Sequence, residues 1–175
     1  MAFLLRELLE QFGLECFPKV SGSKGLQVYI PLNTSVTYDV IRAFAKAIAD
    51  LLAEQHPRLI VAEMAKAVRS KKVFIDWSQN SDFKTTVAVY SLRAKKLQPF
   101  ASVPVRWDEL HKAIRKKDTA ALYFGIDETL ARVEELGDLF KLVLSLKQKL
   151  PASILKRLLS DDRASFLDSG KNARS

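Results

Sequence analysis

Cysteine is almost missing from this chain. Cys16 stands alone, so no internal disulfide can form, and the composition fits a reducing, cytoplasmic setting. Histidine is nearly as scarce. His56 and His111 lie far apart without the spacing of metal ligands, and no Ser/His/Asp or Cys/His arrangement for a nucleophile is present. No apolar run reaches the roughly eighteen residues of a membrane span. The opening residues, Met1 to Glu7, carry charge too early and too often for a secretory signal. There is no internal repeat and no low-complexity tract. Acidic residues are outnumbered, 20 against 28 Lys and Arg, for a net charge of +8 and a pI near 9.6. A chain this basic tends to meet a polyanion: nucleic acid, an anionic membrane face or an acidic partner. The alternative is a soluble basic domain that binds none of these.

What is present is enough for one substantial core. The chain has 175 residues, 48% hydrophobic and 27% charged, an ordinary balance for a globular protein. Phe3, Leu4, Leu8, Leu9 and Phe12 recur at helical spacing, with Gly13 as a stop. That helix begins without a capping side chain and reads like a segment of something longer. Strands are expected at Glu15–Phe17, Leu26–Ile30, Val73–Trp77, Thr85–Tyr90 and Ala101–Val105. Helices are expected from Thr37 to about Gln55 and, shorter, from Leu59 to Val68. Others follow from Trp107, from a cap at Asp127 to Gly137, and in two stretches split by Pro151. The fold class is α+β, a mixed or antiparallel sheet flanked by helices. Residues 1–150 form the expected domain, and 151–175 a basic helix with a polar tail.

Two places carry candidate chemistry. Ser21-Gly22-Ser23-Lys24-Gly25 lies between two strands. Its glycines let main-chain amides approach an anion, its hydroxyls add donors and Lys24 adds a mobile cation. The glycine spacing is not that of a P-loop, and an ordinary hairpin turn remains the other reading. Asp76 ends an otherwise apolar strand. A carboxylate there calls for compensation by a metal, by several hydrogen-bond donors, or by an ion pair, for example with Arg93 or Lys72.

Both places match one family. Phe17-Pro18-Lys19-Val20-Ser21-Gly22-Ser23-Lys24-Gly25-Leu26-Gln27 resembles the second motif of the polymerase domain of bacterial DNA ligase D, in the archaeo-eukaryotic primase superfamily. Val73-Phe74-Ile75-Asp76-Trp77-Ser78-Gln79-Asn80 resembles its third motif. Lys84-Thr85-Thr86, Tyr90-Ser91-Leu92-Arg93-Ala94, Trp107–Leu110 and Glu135–Phe140 are similar as well, so the likeness spans about residues 3 to 150.

The resemblance implies an RRM-like primase-polymerase core that adds nucleotides, often ribonucleotides, to broken DNA ends in non-homologous end joining. Mg or Mn would serve as cofactor. Asp76 would be the third catalytic metal ligand. Ser21, Ser23, Lys24 and Gly25, with Gln27, would line the triphosphate site, and Arg93 would contact the phosphates through its planar fork. Arg69, Lys71 and Lys72, or Arg115, Lys116 and Lys117, would hold DNA, with a solvated charged face as the alternative for either cluster. The implied partners are DNA ends, nucleoside triphosphates, a ligase, the Ku end-binding protein and no membrane.

The chain departs from the family twice. Gln27 stands where the family has histidine, and it cannot carry a positive charge toward phosphate. The family's aspartate pair precedes the helix at which this chain starts, so the first part of the catalytic core is expected to be missing. Neither Asp108-Glu109, Asp127-Glu128 nor Asp161-Asp162 reads as a substitute. Inactivity of the chain alone is expected, the chain being either truncated or one half of a split enzyme that a companion chain completes. The rival reading is a non-catalytic DNA-binding or scaffolding module.

Overall fold

The structure is a computed structural model that describes residues 1–94 and 98–159. The tail from Asp161 lies outside the described residues. In chain order the main elements are α1 (Ala2–Gln11), β1 (Phe17–Val20), β2 (Leu26–Tyr29), α2 (Tyr38–Gln55), β3 (Ile60–Val61), β4 (Val73–Phe74), β5 (Leu92–Arg93), β6 (Phe100–Ala101), α3 (Trp107–Lys116), α4 (Ile126–Leu136), α5 (Lys141–Ser145) and α6 (Ala152–Leu159). Among the described residues the strands form three two-stranded sheets. Two are antiparallel and one is parallel, so the mixed α+β class holds. The chain divides into two compact units.

One unit comprises residues 1–14, 34–85 and those from 148 onward. Its centre is α2, whose stripe of Phe44, Ile48, Leu51 and Leu52 is buried with Leu8 and Leu9 of α1, Ile60 and Val61 of β3, and Ile154 of α6. The Thr37 hydroxyl accepts the Val40 amide at the start of α2, and Asp39 lies in the first turn, both favourable to the positive end of the helix. α1 has no side-chain cap, and Gly13 leaves it at a φ of +69°. No described helix is long and apolar enough to cross a membrane.

The helix expected over Leu59–Val68 is absent. Ile60 and Val61 instead pair in parallel with Val73 and Phe74, and only Lys66–Arg69 makes a short 3-10 turn. Two β-branched residues just after Pro57 found a strand partner across the intervening loop, and that pairing outweighs the modest helical preference of the alanines beyond.

The other unit comprises residues 15–33 and 86–147. Its hairpin pairs β1 with β2, setting Lys19 opposite Gln27 and Val20 opposite Leu26. Chain beyond β6 runs along β1: the Val20 amide donates to the Val103 carbonyl and the Val105 amide to that of Pro18. Cys16, Val20, Ala101, Val103, Val105, Leu110, Ala113, Phe124 and Phe140 fill the interior. The Trp107 indole donates to the Cys16 carbonyl.

Residues Thr85–Tyr90 form no strand. Their bonding goes elsewhere, since Val87 accepts from a side chain and Tyr90 adopts a φ of +62° while donating to Ser102. Gly125, not Asp127, holds the N-cap position of α4, and Asp127 lies in its first turn.

Candidate active site

The Ser21–Gly25 turn closes on itself. The Ser21 amide donates to the Gly25 carbonyl at 2.9 Å, and the Ser21 hydroxyl accepts the amides of Ser23 and Gly25 at 3.3 and 3.1 Å. Gly22 explains why the turn needs glycine: at φ +67°, a Cβ there would lie 2.6 Å from the Phe100 carbonyl oxygen and 2.9 Å from Ala101. The turn is therefore pressed against β6, a contact only glycine allows. Lys24 is exposed, and its ammonium makes no hydrogen bond or ion pair among the described residues.

Gln27 points from the same hairpin to Thr86, donating its amide to the threonine hydroxyl, while its carbonyl oxygen is buried without a partner. Arg93 is half-buried on β5, opposite Phe100. Its guanidinium has no carboxylate partner among the described residues. Thus Ser21, Ser23, Lys24, Gly25, Gln27 and Arg93 all belong to one unit, with two side-chain cations left unneutralised.

Asp76 belongs to the other unit. It lies past the end of β4, which is shorter than the sequence suggests, and precedes the 3-10 turn Trp77–Gln79. The carboxylate is exposed. Its two oxygens accept from the Ser78 hydroxyl and the Gln79 amide, each at 2.7 Å. Exposure removes most of the desolvation cost that a strand interior would have imposed. Asp76 makes no ion pair among the described residues, so its neighbours in the turn, rather than a cation, hold it in place.

The Arg69 guanidinium stacks 3.6 Å from the centre of the Phe74 ring and donates to the Met64 carbonyl, which ties it into the fold. Lys71 and Lys72 are exposed. Arg115 and Lys116 close the last turn of α3, and Lys117 is its left-handed C-cap, where cations complement the helix dipole.

The described residues do not fit a two-metal centre. Nowhere among them do three His, Cys, Asp or Glu side chains gather, whereas two-metal chemistry needs carboxylates shared between cations about 4 Å apart.

Sequence reasoning overlooked Lys19 and Ser102. Both are fully buried, and the Lys19 ammonium donates to the Ser102 hydroxyl at 2.8 Å and the Val87 carbonyl at 2.7 Å. The one signal available was a lysine between Pro18 and Val20 in an apolar strand.

The turn, Gln27, Asp76 and Arg93 all fall within a longer match. Residues 1–140 match the family described as LigD, primase-polymerase domain. The chain belongs to that family. This LigD-family chain is 41% identical over 141 residues to the multifunctional non-homologous end joining DNA repair protein LigD of Mycobacterium tuberculosis (strain ATCC 25618 / H37Rv), covering 81% of the chain and 18% of that protein. It is 35% identical over 134 residues to the bifunctional non-homologous end joining protein LigD of Bacillus subtilis (strain 168), covering 76% of the chain and 21% of that protein. The chain thus spans about a fifth of the length of these relatives. Among solved structures, the polymerase domain from Mycobacterium tuberculosis ligase D in complex with DNA superposes with a TM-score of 0.75 at 39% identity, covering 84% of the chain and 49% of that domain.

Proposed function

We propose that this LigD-family chain contributes the triphosphate-binding and third-carboxylate elements of a polymerase that extends broken DNA ends in non-homologous end joining in the cytoplasm. Lys24 and Arg93 carry the reading: two cations of one unit, without carboxylate partners among the described residues, on the family's phosphate-binding motifs. Ser21, Ser23, Gly25 and Gln27 complete that site. The Ser21 hydroxyl is engaged with two turn amides, so a phosphate would compete with it for them. Gln27 spends its donor on Thr86 and turns no charge toward an anion, which lowers affinity for triphosphate.

Asp76 is the proposed carboxylate for Mg or Mn, and Arg69, Lys71 and Lys72 are the proposed DNA contacts. The partners are DNA ends, nucleoside triphosphates, a ligase and Ku. Residues 1–150 are the polymerase portion, and 151–175 lie beyond it. Since the described residues hold no three-ligand cluster, the remaining carboxylates would lie outside them, whether in a longer form of the chain or in a companion polypeptide. Primer extension with manganese tests this: the purified chain alone adds no nucleotide, and template-dependent addition by it would refute the need for those carboxylates.

That same missing cluster favours a second reading, a DNA-binding or scaffolding module without catalysis. Labelled triphosphate separates the two. Binding that Lys24→Ala abolishes supports the polymerase reading. Binding that is absent, or indifferent to Lys24→Ala, supports the scaffold.

A further inference from the structure

The strand that leads into the Ser21–Gly25 turn carries a buried lysine. Lys19 is 0% exposed, and the centre of the Tyr29 ring lies 5.5 Å from its ammonium. No carboxylate among the described residues lies within ion-pair distance. Besides Val87, the ammonium holds Ser102, whose hydroxyl passes the chain on by donating to the Val20 carbonyl at 3.0 Å. Val20 adjoins Ser21, the residue that folds the turn. Gln27, directly across the hairpin from Lys19, binds Thr86. Two facing side chains of the hairpin therefore grip consecutive residues, Thr86 and Val87.

Burial, helped by repulsion from the Arg93 guanidinium, brings the Lys19 pKa down to about 8. A neutral side chain would fill this space without that desolvation, and a second cation nearby adds to the cost. A cation desolvated beside a second cation and next to a candidate site is itself a candidate for a part in that site.

We propose that Lys19 is a positioning residue of the nucleotide site, bracing Val20 and Val87 so that the turn keeps its form, and adding its charge to that of Arg93 toward a bound polyphosphate. This rests on the reading of the turn and Arg93 as the triphosphate site.

Hydrogen exchange on the full chain decides the bracing. In Lys19→Met, protection of the Val20, Ser23 and Gly25 amides should fall by about tenfold or more, with the Tm unchanged or raised because a buried charge is gone. Unchanged protection at those amides overturns the proposal. Should Lys19→Met fail to fold, Ser102→Ala removes only the relay hydroxyl and carries the same expectation and the same refutation.

Tripolyphosphate binding tests the charge. Affinity should fall in Lys24→Ala, Arg93→Ala and Lys19→Met alike. In the wild type it should weaken as pH rises through about 8, a dependence that Lys19→Met lacks and a merely structural lysine would not produce. Among the described groups, Arg93 from β5 and Tyr29 from β2 face the ammonium, and Arg93 stays charged across that range. If the wild type binds no tripolyphosphate, the triphosphate reading fails, and the charge half of the proposal with it. If Arg93→Ala loses binding while Lys19→Met keeps it, only the role of Lys19 is refuted.

Discussion

Single residues set sharp limits on the candidate site. Gly22 combines a left-handed backbone with a carbonyl oxygen where a Cβ would sit. Gly22→Ala should therefore cost about 2 kcal/mol or more, measured as a lowered midpoint in urea. Lys19 gives a pH signature of its own. Between its folded pKa of about 8 and its ordinary 10.5, the unfolded chain binds more protons than the folded one. Stability contributed at this residue therefore rises with pH across that window. Wild type should gain on Lys19→Met in melts taken from pH 8 to 10.5, and a constant difference would mean that Lys19 keeps its proton. Asp76 is exposed and held by Ser78 and Gln79.

At the scale of elements, an ion pair joins α3 to α4. Arg132 donates through both terminal nitrogens to Glu109, at 2.5 and 2.9 Å, and also to the Pro104 carbonyl. Glu109 in turn accepts the Arg106 amide and so satisfies a main-chain donor at the start of α3. Burial pushes the Glu109 carboxyl up, but the Arg132 fork, the Arg106 amide and the charges of both arginines outweigh it and hold it below its ordinary value. A depressed carboxyl contributes stability above its unfolded pKa that is lost as pH falls through the folded one, so acid should loosen this contact. Arg132→Met strands a largely buried carboxylate and should cost about 3 kcal/mol. Adding Glu109→Gln should recover part of that loss, and a thermal-melt double-mutant cycle reads the coupling.

Element types were legible where periodicity was long. α2 runs from the Thr37 cap to Gln55, and its eighteen residues are long enough for the helical period of the apolar residues, buried from Phe44 to Leu52, to stand out. Short segments were not legible. Residues Leu59–Val68 and Thr85–Tyr90 were decided by partners distant in sequence: Val73 and Phe74 for the first, Lys19 and Ser102 for the second. Local propensity carries no information about such partners.

At the scale of the whole molecule, the excess of basic residues is the sequence-wide counterpart of the proposed role on DNA. Affinity for a DNA duplex should fall by about tenfold or more between 50 and 200 mM salt, as counterions cease to be released usefully. Salt-independent or absent binding would remove nucleic acid from the proposed function. Membership of the LigD primase-polymerase family was readable without coordinates, because the motifs around Ser21–Gly25 and Asp76 depend on residue type in order along the chain, and order is what a sequence records. The α+β class was readable for the same reason. Tertiary structure alone decided that Asp76 is exposed, that the Ser21 hydroxyl is engaged within its own turn, and that Lys19 is buried beside Ser102. Burial and hydrogen bonding arise from chain segments that meet only on folding, and Lys19 and Ser102 stand 83 residues apart.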